Sequence, residues 1–125
     1  MEIIKIPVSL GELYDKISIL EIKILNMNSP EKVINITNEY KYLKKISKKY
    51  SIDINLYNKL KIINQELWKI EDAIREKEKL QEFDDQFINL ARSVYINNDK
   101  RSEIKREINY QYNSGIIEEK SYEKY

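Results

Sequence analysis

The stretch NNDKRSEIKREIN, Asn97 to Asn109, crowds Asp99, Arg101, Lys105, Arg106 and Asn109 around two isoleucines, Ile104 and Ile108. Helical spacing puts Arg101, Ile104, Lys105, Ile108 and Tyr112 on one face. Two cations therefore flank the stripe that faces the core. Such a pair suits a phosphate or carboxylate, held by charge-assisted hydrogen bonds and by the free N–H groups of a helix opening at Asn98 or Asp99. Arg92 would reach the same end from a preceding helix. Lys16, beside Leu20 on the first helix, would join from across the bundle. The competing reading is interhelical ion pairing, with Glu66 and Glu71 beside Leu67 as partners and the long cationic stems covering apolar surface. The two readings stand side by side at this level.

Other chemistries are poorly served. The chain of 125 residues has no His and no Cys. It thus lacks the commonest general base and metal ligand, and any thiolate. Adjacent carboxylates, as in Glu71-Asp72 and Glu118-Glu119, do not face each other across a cleft as acid–base work requires. No catalytic group, metal or cofactor is expected. The run YKYLKKISKKY, Tyr40 to Tyr50, interleaves lysine with tyrosine as nucleic-acid grooves do. Yet the net charge is only +1, and a helix C-terminus favours lysines, so no nucleic-acid partner is expected.

The elements that must position these groups are helices. Only two Gly and two Pro occur, and 34% of residues are charged, a mix suited to ion-paired helical faces. Ser9 with Glu12 three residues on reads as a capping box, with Val8 stapling to Leu13. Leu10, Leu13, Ile17, Leu20 and Ile24 follow at helical spacing, and Ile3 to Val8 form an extended lead. A second helix opens at Pro30 and carries Val33, Ile36, Tyr40 and Leu43. Leu56, Leu60, Ile63, Leu67, Ile70 and Ile74 alternate spacings of four and three, a coiled-coil-like seam from Ile54 to Leu80. Trp68 lies beside that seam, as core or as an anchor for a partner. Asp84 caps a fourth helix with Phe87, Leu90, Ala91 and Val94. The NND triplet breaks it, and a fifth helix runs to Gly115. Residues 116–125 are a polar, tyrosine-rich tail, ordered or frayed.

The segments PVSLGELYDKISILEIK, ELWKIEDAIRE, FINLARSVYINNDKRSEIKREIN and EEKSY resemble a family of small proteins, a domain of unknown function marked by a KREIN-type motif. The resemblance spans Pro7 to Tyr122. It implies no reaction; its only context is a position near surface-polysaccharide glycosyltransferases. It does direct attention to Glu12, Asp15 and Lys16 in the first motif, and to Arg92, Asn98, Asp99, Arg101, Lys105 and Asn109 in the later one. The opening rhythm is also similar to helical chorismate mutases. Their arginine-rich dicarboxylate site has no counterpart here, where all four arginines lie at or beyond Arg75.

The sequence thus predicts one all-α domain, an antiparallel bundle of four to five helices with the long helix at its centre. Lys16, Arg92, Asn98, Asp99, Arg101 and Lys105 form a candidate anion site. Glu12, Asp15, Glu66, Glu71 and Asn109 form a structural polar network. The expected role is a non-enzymatic binding or assembly module, a homo-oligomer or a protein's partner. The alternative is an enzyme or sensor for an anionic metabolite such as a sugar nucleotide. The N-terminus lacks a secretory pattern and no apolar run reaches about 20 residues, so a soluble, cytoplasmic protein off the membrane is expected.

Overall fold

The computed structural model describes residues 2–125, and among them there are four helices and no strand. They are α1 (Leu10–Asn26), α2 (Pro30–Ser47), α3 (Ile54–Lys79) and α4 (Asp85–Gln111). Residues 2–8 run without regular structure into the Ser9 cap. Ser9 Oγ accepts from the Glu12 N–H at 3.1 Å, so the expected cap forms. Its reciprocal half does not, because the Glu12 carboxylate turns to Lys105 on α4.

The core is small. Ile17, Leu60 and Ile108, one each from α1, α3 and α4, are completely shielded from solvent. Leu13, Leu20, Ile22, Leu56, Leu67 and Ile70 complete it. The helix at the hub is α1, which packs against α2, α3 and α4; the backbone of α2 runs close to that of α1 alone. This corrects the expectation that the long α3 is the spine. With a single neighbour, α2 keeps its Val33, Ile36, Tyr40 and Leu43 stripe half-buried. Two phenols pin the turns: Tyr14 Oη donates to the Tyr50 carbonyl at 2.6 Å, and Tyr112 Oη accepts from the Asp53 N–H at 2.6 Å.

A second correction concerns the end of the chain. The segments expected as helices four and five are one continuous α4. Asn97, Asn98 and Asp99 cap well in isolation, but no Gly or Pro stops the helix there, and their side chains are engaged otherwise. Asn97 Nδ2 donates to the Ser93 carbonyl one turn back at 2.8 Å. Gly115 does not close the helix either. Asn113 takes the left-handed conformation at φ 51°, and the Ser114 N–H returns to the Asn109 carbonyl at 2.8 Å in a Schellman closure. Gln81 ends α3 in the same way, at φ 55° with the Glu82 N–H on the Lys77 carbonyl at 3.0 Å.

The distal half of the α3–α4 hairpin stands apart from the core. From Glu71 to Ile104 no residue is fully buried. At about 1.5 Å per residue, α3 is roughly 39 Å long and α1 only about 26 Å. The far turns of α3 and α4 thus lie against each other alone.

Lys100 is exposed and lies where a fifth helix would have its first residue. Proline is welcome at such a position but costs about 3 kcal/mol inside a helix. Lys100→Pro is expected to lose about that much stability in urea unfolding. A neutral result would mean that the helix breaks at the NND triplet.

Candidate functional site

Asp15 points from α1 into the junction of α1, α3 and α4 and is 1% exposed. A carboxylate there must be matched donor by donor. Its Oδ1 accepts from Asn64 Nδ2 at 2.8 Å and from Arg101 Nε at 3.0 Å. Its Oδ2 accepts from Arg101 Nη2 at 2.6 Å, and Lys105 Nζ lies 3.8 Å away. The guanidinium therefore grips the carboxylate with two parallel N–H groups. Arg101 Nη1 is turned to Asn98 Oδ1 at 3.2 Å, which fixes the fork's plane. The second amide hydrogen of Asn64 goes to Ser18 Oγ at 2.7 Å, and that hydroxyl donates to the Asp15 carbonyl at 2.8 Å.

Lys105 follows one turn later on α4 and is also buried. Its ammonium donates to Glu12 Oε2 at 2.6 Å and lies 3.2 Å from Glu118 Oε1 of the tail. Burial pushes this ammonium toward its neutral form. The Glu12 hydrogen bond and the Asp15 and Glu12 charges outweigh burial and hold its pKa above the usual lysine value. Burial likewise raises Glu12, but Lys105 and then Lys16 pull it below the usual carboxylate value. Lys16 itself is exposed and 3.6 Å from Glu12 Oε1.

The same junction caps the start of α1 from the end of α4. The Leu10 N–H donates to Ser114 Oγ at 3.0 Å, and the Gly11 N–H donates to Asn109 Oδ1 at 2.7 Å. Gly11 allows this close crossing: a Cβ there would lie 2.5 Å from the Lys105 carbonyl oxygen. Among the described residues every buried side-chain nitrogen and oxygen has a hydrogen-bond partner.

Of the expected residues, the structure brings Glu12, Asp15, Arg101, Lys105 and Asn109 together, with Asn98 behind Arg101 and Lys16 at the outer edge. Asp99 faces the Tyr125 hydroxyl, whose pKa it raises. Arg92 is exposed and in no ion pair among the described residues. Glu66 and Glu71 lie outside the network: Glu66 is exposed, and Glu71 pairs along its own helix with Arg75 at 3.8 Å. The helix N-terminus expected to help an anion is absent, because Asn98 and Asp99 lie inside α4. A cleft of about 550 Å³ does open beside Arg101 and Lys105, between α4 and the tail, with Tyr95, Tyr122 and Tyr125 on its walls.

Sequence reasoning missed Gly11, Ser18, Asn64 and Glu118. A glycine in the first turn of a strong helix pattern and an asparagine inside an apolar seam were the available signals for two of them. It also missed a second cluster, in which the Glu21 carboxylate receives Tyr57 Oη at 2.6 Å, Lys61 Nζ at 2.7 Å and Tyr40 Oη at 3.3 Å. This cluster ties α1 to α2 and α3. Burial first, then the Glu21 carboxylate, pushes the Tyr57 phenol far above its usual range.

With this geometry established, the match to known sequences falls into place: the model of a family of unknown function, DUF6165, covers residues 4–125. The chain belongs to DUF6165. No curated protein and no solved structure matches it. For this DUF6165 chain, the arrangement around Asp15 is a closed set of ion pairs in which each buried cation already faces a carboxylate. Among the described residues no group of His, Cys, Asp and Glu is placed to hold a metal ion, and no helix is long and apolar enough to cross a membrane.

Gly11→Ala separates close packing from helix propensity. Propensity alone would stabilise an exposed helix by up to about 1 kcal/mol. Overpacking against the Lys105 carbonyl is expected to destabilise by about 2 kcal/mol instead. Denaturant unfolding decides the sign.

Proposed function

We propose that this chain is a non-enzymatic helical assembly module that pairs with a second copy of itself through the distal α3–α4 hairpin. The observation that carries this reading is the absence of any fully buried side chain from Glu71 to Ile104. Two antiparallel helices alone leave their apolar stripe partly wet, and a second hairpin laid against it would complete a four-helix bundle. Leu80, Phe83 and Ile88 on this arm are each more than half exposed. The total surface supports the same reading. The chain exposes 9212 Å², whereas a compact monomer of its 15.1 kDa would expose about 7,100 Å². The excess is larger than the roughly 800 Å² per partner of a standard interface. The ion pairs around Asp15 fit a structural role within such a module.

A second reading rests on the cleft beside Arg101 and Lys105. There the tail's Glu118 lies on Lys105, where the oxygen of a small anion such as a phosphate would lie. Displacing Glu118 would free one face of the ammonium for a ligand.

Sedimentation velocity tests the first reading. The expected mass is twice that of the chain, and Ile88→Glu should weaken association at least about tenfold without changing the helical content. A mass of one chain at every accessible concentration overturns it. Phosphate, nucleotides and nucleotide sugars added in thermal unfolding test the second. A ligand that binds only the folded form adds about 2.7 kcal/mol at a hundredfold excess over Kd. No shift with any of them removes that reading.

A further inference from the structure

A second concavity, about 1010 Å³, lies at the other end of α1 from the Glu21 cluster. Four separate parts of the chain converge on it: the extended lead, the first turns of α1, the last turns of α2, and the turn that closes α4. Its lining is mostly apolar, with Leu10, Leu13, Leu43 and Ile46 from the helices and Ile4 and Ile6 from the lead. Ile4 and Ile6 are 74% and 69% exposed, so the lead gains nothing from burial where it lies. The rim is cationic, with Lys5, Lys16, Lys45 and Lys49 against the single acid Glu39. Lys5, Lys45 and Lys49 take part in no ion pair among the described residues, so their ammonium groups are not engaged by a carboxylate. The lysine–tyrosine run of α2 thus has a structural setting: its Tyr42, Leu43 and Ile46 line the groove while Lys45 and Lys49 edge it.

We infer that this groove binds a single-chain amphiphile, an apolar chain carrying one anionic head such as a phosphate or carboxylate. The volume is at the upper end of small-ligand sites, and such sites are mostly apolar with a few placed polar groups. Walls drawn from four segments make a pocket rather than the long trough an amphipathic helix occupies between two helices. The chain would cover Leu10, Leu43, Ile46 and the isoleucines of the lead. Its head would face Lys45 and Lys49, where no carboxylate of the protein competes. This site is separate from the distal hairpin and does not depend on the assembly proposed there.

Calorimetric titration of the full chain with dodecyl phosphate, below its micellar concentration, tests the inference. One saturable site is expected, with dodecyl maltoside and inorganic phosphate each binding at least about tenfold more weakly, a difference of 1.4 kcal/mol or more. The double substitution Lys45→Gln, Lys49→Gln, both at exposed positions, should lower the affinity for dodecyl phosphate toward that for the maltoside while leaving the circular dichroism unchanged. Leu43→Asn should weaken both detergents. Equal affinity for the neutral detergent, or unchanged affinity in the lysine variant, overturns the proposal. Binding to anionic phospholipid vesicles without any titration by the monomeric amphiphile also overturns it, and assigns the lysines to a membrane surface. If dodecyl phosphate halves the sedimenting mass, the groove belongs to a second copy of the chain and the proposal falls.

Discussion

Taking the Asp15 carboxylate out of water costs several kcal/mol, and the fold is arranged around recovering that cost. Recovery requires α1, α3 and α4 to arrive together, because α3 supplies Asn64 and α4 supplies Arg101. A slide of either helix by one turn along α1 would strand the carboxylate among Ile17, Leu60 and Ile108. The apolar contacts at this junction would tolerate several registers; the ion pair tolerates one. The network therefore acts on specificity of packing as much as on stability, the role best attested for buried polar groups at helix seams.

The same register places everything else. With Arg101 opposite Asp15, Lys105 falls opposite Glu12, Asn109 opposite the Gly11 N–H, and Ser114 opposite the Leu10 N–H. The start of α1 is capped by the end of α4, so the two ends of the domain are joined at one corner. That corner forms one wall of the amphiphile groove. On its other side, Lys105 holds Glu118, and Arg106 holds Glu119 at 2.8 Å, which lays the tail along α4 and forms the cleft. From Arg101 toward the distal turn the helices α3 and α4 run on without α1, and the hairpin there leaves Leu80, Phe83 and Ile88 more than half exposed.

Local signals were readable where the interaction is local. The Ser9 cap and Pro30 at the start of α2 follow from short-range chemistry, and the structure has them; of the expected α3 stripe, Leu56, Leu60, Leu67 and Ile70 are buried, while Ile63 and Ile74 are half-buried. The placing of Arg101 and Lys105 beside the stripe was readable too, since one helix fixes its own faces. Their partners were not. Spacing along α4 gives no register against α1, so Glu66 and Glu71 were as good candidates as Glu12 and Asp15. The continuity of α4 was hidden for a related reason. Asn98 and Asp99 are good caps in isolation, but here one is spent on Arg101 and the other faces Tyr125. Length misled about the hub, because α3 is long for the sake of its hairpin with α4, not because it has more neighbours within the core.

A double-mutant cycle on Asp15→Ala and Arg101→Ala, read by urea unfolding, measures the coupling on which this account rests. A buried, bidentate pair that sets helix register predicts an interaction energy of about 2 kcal/mol or more. A value below about 0.5 kcal/mol, the range of exposed pairs, would contradict it and leave the apolar junction alone to set the fold.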